Sequence, residues 1–119
     1  MMNKEIDLKV RTKAFALRII KLFTSRPKTT EAQVMGKQVL RSGTSIGAQY
    51  REACRSRSSA EFISKMESSL QELDETAYWL ELLVESESVK PQKLTDLQKE
   101  TDELIAIFVS SVKTTKSRR

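Results

Sequence analysis

Phe62, Met66, Leu70, Leu73, Ala77, Leu80 and Val84 recur at alternating steps of four and three. That spacing puts apolar side chains along one stripe of an α-helix, whereas a half-buried strand would need a period of two. Sustained over roughly six helical turns, it fixes one long amphipathic helix and demands other helices to cover it. Ile63, Trp79, Leu82 and Leu83 flank the seam. Ser58 and Glu61 stand at capping-box spacing before it, so each satisfies a backbone amide of the same first turn. The helix is predicted over 59–87.

Three more helices follow from the same kind of reading. The first, over 6–24, carries a loose stripe of Val10, Ala14, Leu17 and Lys21, widened by Phe15, Ile19, Leu22 and Phe23 into a broad apolar face. Pro27 then breaks the chain, because it lacks an amide hydrogen and pushes Arg26 out of helical geometry. The second helix, over 30–55, opens on a capping box of Thr30 and Gln33 and faces inward through Met35, Val39, Gly43, Ile46, Tyr50 and Ala53. Gly43 and Gly47 each cost about 1 kcal/mol relative to Ala in a helix. The apolar spacing nevertheless continues through them, so a continuous helix that lets another backbone approach closely is predicted. After the break at Val89, Lys90 and Pro91, a fourth helix over 92–113 buries Leu94, Leu97, Thr101, Leu104, Phe108 and Val112, with Ile105, Ile107 and Val109 beside them. The tail KTTKSRR is expected to fray.

Four helices on short links predict an all-α fold, a single domain over 1–119 built as an up-down-up-down antiparallel four-helix bundle. The whole chain has three Gly and two Pro, too few for the turns of an all-β protein. No apolar run is long enough to span a bilayer, and residues 1–13 have no signal-peptide core. A single cysteine fits a reducing compartment, so the expected location is cytoplasmic.

Charge is unevenly spread. Residues 1–57 hold thirteen Lys and Arg against four Asp and Glu; residues 58–119 hold eight against twelve. A basic half next to an acidic one suits either a polyanion partner or neighbouring subunits that meet through opposite faces. The third helix alone carries Glu67, Glu72, Asp74, Glu75, Glu81, Glu85 and Glu87, read most simply as a solvated acidic face.

Catalytic equipment is sparse. The chain has no histidine, which removes Ser-His and Cys-His dyads and histidine metal sites. Lone Cys54 cannot build a thiolate zinc site, and bundle di-metal sites ordinarily add Glu-x-x-His pairs that are missing. No catalytic residue, metal site or cofactor is predicted, and the chain is not expected to be an enzyme. The candidate binding residues are Lys37, Arg41, Arg51, Arg55 and Arg57, partly aligned on one face of the second helix and its exit and extended by Lys9, Arg11, Lys13, Arg18 and Lys21 if the first helix adjoins. Such a surface grips phosphates without reading bases. Tyr78 and Trp79, close to Glu75 and Glu81, suit packing or a subunit contact better than base stacking.

The residues Arg41, Ser45-Ile46-Gly47-Ala48-Gln49-Tyr50-Arg51-Glu52-Ala53, Arg57-Ser58-x-Ala60-Glu61-Phe62 and Glu75-x-x-x-Trp79-Leu80-Glu81-Leu82 together resemble the bacterial four helix bundle protein family. Its members are also called 23S ribosomal RNA intervening-sequence proteins. The resemblance covers nearly the whole chain. It implies an up-down bundle, assembly into a homopentameric ring, and kinship in fold with the accessory variability determinant of diversity-generating retroelements, which associates with a reverse transcriptase and nucleic acid. The family's pattern usually has Asn where this chain has Gln49. The family offers no catalytic residue to carry over.

The function expected is a non-enzymatic homo-oligomer that binds RNA, DNA or a nucleoprotein partner such as a reverse transcriptase through its basic surface. The subunit contact is expected at Glu75, Tyr78 and Trp79. The alternative is a protein–protein scaffold with no nucleic-acid binding.

Overall fold

The computed structural model describes residues 4–118, with side chains from Leu8 onward. The first three residues and Arg119, part of the basic tail, lie outside the described residues. The described residues form four helices: α1 (Lys4–Thr24), α2 (Thr30–Cys54), α3 (Ser59–Glu85) and α4 (Pro91–Arg118). They form an all-α four-helix bundle in which α2 packs on α1 and α3, and α3 packs on α4, while α1 meets α4 sparsely.

The two turns of chain before α2 and α3 show how local chemistry sets the helix starts. Ser58, in extended backbone geometry, accepts a hydrogen bond from the Glu61 amide at 3.1 Å. At α2 the cap is Thr29, whose hydroxyl oxygen accepts from the Ala32 amide at 3.2 Å, not Thr30. The Gln33 side chain donates to the Lys28 carbonyl instead of closing a box with Thr30. With two adjacent threonines, the extended backbone that follows Pro27 decides which one caps.

The inner face of α4 is the predicted one: Leu94, Leu97, Thr101, Leu104, Phe108 and Val112 are its buried residues. The helix runs on through the tail that was expected to fray. Thr115 donates to the Ser111 carbonyl, and Lys116 lies 3.5 Å from Glu67 of α3.

On α3 the buried seam is rotated from the predicted one. Ile63, Met66, Ser69, Glu72, Leu73, Thr76, Leu80 and Leu83 are buried, whereas Phe62, Leu70 and Val84 are half-buried. The rotation aims three polar side chains at α2. Ser69 donates to the Ile46 carbonyl at 2.9 Å. The Thr76 oxygen lies 2.8 Å from both Ser42 Oγ and the Glu72 carbonyl. Since Thr76 has one proton, it donates to one and accepts from Ser42 when it bonds the carbonyl. Glu72 meets Arg41.

The α1 stripe is corrected most. Leu8, Thr12, Phe15 and Ile19 face the core, while Val10 and Leu17 are 59% and 57% exposed, and Ala14 and Lys21 are also exposed. α1 rests on the small residues of α2. A Cβ on Gly43 would stand 2.8 Å from Ile19 Cγ1, and one on Gly47 would stand 2.9 Å from Thr12 Oγ1. The glycines let the helices close to where Ile19 and Thr12 seat on bare backbone, and α2 stays continuous through both.

Candidate nucleic-acid interface

Lys37, Arg41, Thr44, Ala48, Arg51 and Arg55 follow one another on α2 at steps of four and three, so they share a face of the helix. Four of the six are cations, and Lys37, Arg41, Arg51, Ala48 and Arg55 are all exposed. The opposite face, Val39, Ile46, Tyr50 and Ala53, is buried in the core, so this face points outward, with the glycines along its edge.

The close approach of α1 turns the lower part of that face into a groove of about 490 Å³. Small residues make its floor: Thr12 and Ala16 from α1, Thr44, Gly47 and Ala48 from α2. Lys13, Arg51 and Arg55 stand along it, with Glu52. Glu52 is turned toward α3, where its carboxylate takes Lys65 Nζ at 2.8 Å. That hydrogen bond raises the Lys65 pKa above its ordinary value. Among the described residues, Lys13, Lys37, Arg51 and Arg55 have no ion-pair partner. Three unneutralised cations, Lys13, Arg51 and Arg55, stand beside this floor of small side chains, and Lys37 continues the same face toward the start of α2.

The five candidate cations do not act as one set. Arg41 spans Glu72 and Glu75 of its own chain. The charge of Glu72 is the largest cause that holds the Arg41 guanidinium above its ordinary pKa. Arg41 therefore ties α2 to α3. Arg57 lies past the end of α2, on a separate cavity of about 670 Å³ at the end of the bundle. Lys37, Arg51 and Arg55 remain on the shared face, and α1 adds Lys13. Lys13 was legible only as part of a general basic character of α1, because the glycine contact that brings it alongside is a tertiary event.

The acidic face also sorts itself. Glu75 is occupied by Arg41, so the outward row on α3 is Gln71, Asp74, Tyr78, Glu81 and Glu85, again at steps of three and four. Tyr78 is 55% exposed and meets Trp79 edge-on, with ring centroids 5.4 Å apart. Trp79 is half-buried against the core, its indole N–H shielded and without a partner. Gln49 Oε1 is likewise shielded and unpartnered. The other basic residue of α1 with a defined role is Arg11. It holds Glu100 at 2.6 Å and Glu103 at 3.2 Å on α4, and the hydrogen bond to Glu100 is the main reason its pKa is raised.

Among the described residues no group of three His, Cys, Asp or Glu could hold a metal ion, and no helix is long and apolar enough to cross a membrane.

Comparison with known proteins gives the same architecture a wider setting. The family model described as 23S rRNA-intervening sequence protein matches residues 4–110. The fold superimposes with a TM-score of 0.87 on the 1.70 Å crystal structure of a protein of unknown function from the S23 ribosomal protein family of Bacteroides thetaiotaomicron VPI-5482. That chain is 38% identical, and the match covers 93% of this chain and 99% of that one. Among curated proteins, none matches.

Proposed function

The chain belongs to the 23S rRNA-intervening sequence protein family, and from that premise we propose that it is a non-catalytic, homo-oligomeric bundle that binds the phosphate backbone of RNA. The contact is made by Lys37, Arg51 and Arg55 of α2 with Lys13 of α1. The observation that carries this reading is the groove between α1 and α2, whose three cations and their neighbour Lys37 lack carboxylate partners. Ion-paired cations elsewhere, such as Arg11 and Arg41, are spent within the chain. A strip of this kind positions a backbone and reads no bases. A nucleoprotein such as a reverse transcriptase bound to its RNA would present the same phosphates.

The experiment is a salt titration. Affinity for a single-stranded RNA should fall with a log–log slope of roughly −0.7 per phosphate neutralised, about −3 for four contacts. Replacing Lys13, Lys37, Arg51 and Arg55 together by Gln should flatten that slope toward zero. Arg41→Gln should lower thermal stability and leave the slope in place. No binding at low salt, or a slope unaffected by the fourfold variant, rejects the reading.

A second reading, a protein–protein scaffold, is favoured by one observation. Val10, Leu17 and Ile20 are exposed on α1, where the bundle itself gives them nothing to cover. That face suits assembly, and the two readings share a homo-oligomer, for which we propose a pentameric ring in keeping with the family resemblance.

A further inference from the structure

A cavity of about 670 Å³ opens at the end of the bundle, between the α2–α3 link, the start of α1 and the last turns of α4. It shares no lining residue with the basic groove, and its size is that of small-molecule sites. Its walls are of two kinds. Leu8, Tyr50, Phe62 and Ile107 make an apolar floor, with the Tyr50 ring fixed against Phe108 at 5.6 Å between centroids. The rim is hydroxyl-rich and carries Arg57 and Arg118. Neither arginine has an ion-pair partner among the described residues, and no Asp or Glu among them lines the cavity. Ser56 Oγ, on the same wall, is shielded from solvent and has no hydrogen-bond partner. Native structures seldom leave such a hydroxyl unsatisfied.

Two unmatched guanidiniums and an apolar floor define the complementary ligand. A bare phosphate would leave the floor wet. A neutral nucleoside would leave both arginines without a counter-charge. We propose that this cavity binds a nucleoside carrying a terminal phosphate monoester. Arg57 and Arg118 hold the phosphate, and Phe62 lies against the base above the buried Tyr50. Arginine forks suit phosphate oxygens because two donors of one group meet two acceptors of the other. The proposal does not depend on the basic groove, and the ligand is either a free nucleotide or the 5′ end of an RNA.

The test is calorimetric titration of the full chain with adenosine monophosphate, adenosine, inorganic phosphate, and a short RNA with and without a 5′-phosphate. Adenosine monophosphate should bind at least about tenfold more tightly than adenosine or phosphate. Arg57→Gln and Arg118→Gln should each weaken it by about tenfold, the worth of one charge-assisted hydrogen bond. Lys99→Gln, an exposed change on α4 outside the cavity, should leave it unaltered. Circular dichroism confirms that each variant is folded. Competition by the 5′-phosphorylated RNA alone would assign the site to RNA ends, and its failure to compete would assign it to the free nucleotide. The proposal is overturned if adenosine or phosphate matches the nucleotide, if no binding is seen, or if affinity survives the loss of both arginines.

Discussion

Gly43 and Gly36 sit on the same helix and face the same neighbour, yet a methyl group added to each meets a different obstacle. At Gly43 the new carbon would press on Ile19 Cγ1 at 2.8 Å and Cγ2 at 3.0 Å, atoms of a branched side chain that is itself fully buried. At Gly36 it would meet Arg26 Cδ at 2.7 Å, in a long side chain whose guanidinium donates to the Phe23 carbonyl and lies over the Phe23 ring. Both substitutions gain about 1 kcal/mol of helix propensity. Overpacking a rigid core site costs about 1–3 kcal/mol. Gly43→Ala should therefore lower the melting temperature, while Gly36→Ala should lower it less, because the unbranched arginine can re-seat and the buried Ile19 cannot. Equal effects at the two sites would mean that α1 simply slides outward. The sequence pattern marks Gly43 and Gly47 as a place of close approach and is silent on Gly36. The difference between Gly43 and Gly36 depends on whether the neighbour across the gap is Ile or Arg.

At the scale of the element, the helix ends and faces show what the pattern of a chain carries and what it omits. The face of α4 was legible because all its buried residues are apolar except Thr101, whose hydroxyl is satisfied by the Leu97 carbonyl of its own helix. The face of α3 was not, because Ser69, Glu72 and Thr76 are buried by bonds to α2, and a polar residue reads as exposed until its partner is known. The stripe on α1 failed for a complementary reason. Val10 and Leu17 hold helical spacing just as Phe15 and Ile19 do, and only the narrow glycine contact decides which pair turns inward. The end of α3 holds a further local conflict. Glu87 has φ of 62°, while its amide bonds the Val84 carbonyl and the Ser88 amide bonds the Leu83 carbonyl. This is the Schellman arrangement, which ordinarily places glycine at that position. A residue with a Cβ pays about 1–2 kcal/mol for left-handed geometry, and glycine returns part of that to the more flexible unfolded chain. Glu87→Gly should accordingly stabilise the protein by about 0.5–1 kcal/mol in a urea melt, with an unchanged m-value. A loss of stability would show that the Glu87 side chain contributes more than its backbone costs.

For the whole molecule, the two halves of the charge distribution map onto two faces of unlike character. On α1, Val10, Leu17 and Ile20 are exposed among Lys13, Arg18 and Lys21. On α3, Tyr78 is exposed between Asp74, Glu81 and Glu85. Neither face complements itself, since each would oppose like charges across a two-fold axis. Each complements the other, so in the homo-oligomer we propose the contact would join different faces of successive copies, the kind of contact that closes into a ring when the rotation allows. Leu17→Glu should then break assembly by putting an acid against the acidic face. Tyr78→Lys should do the same by removing the aromatic anchor and setting a cation against Lys13, Arg18 and Lys21. A chain with Leu17→Glu and Asp74→Lys should recover assembly in part, as a reversed charge pair. Light scattering behind size exclusion, free of nucleic acid, reads the outcome: a multiple of the 13.6 kDa chain for the parent and single chains for Leu17→Glu and Tyr78→Lys. Both sites are exposed, so circular dichroism should find these variants as helical as the parent. Should both remain assembled, the ring is built from other faces. Should the parent itself be a monomer, the exposed stripe on α1 belongs to a foreign protein, and the scaffold reading gains over the RNA one. Salt dependence of RNA binding, measured on the single-chain Tyr78→Lys variant, keeps the two questions apart, because that change lies on α3, whereas Leu17→Glu would place an acid one turn from Lys13, which the groove and the α1 face share.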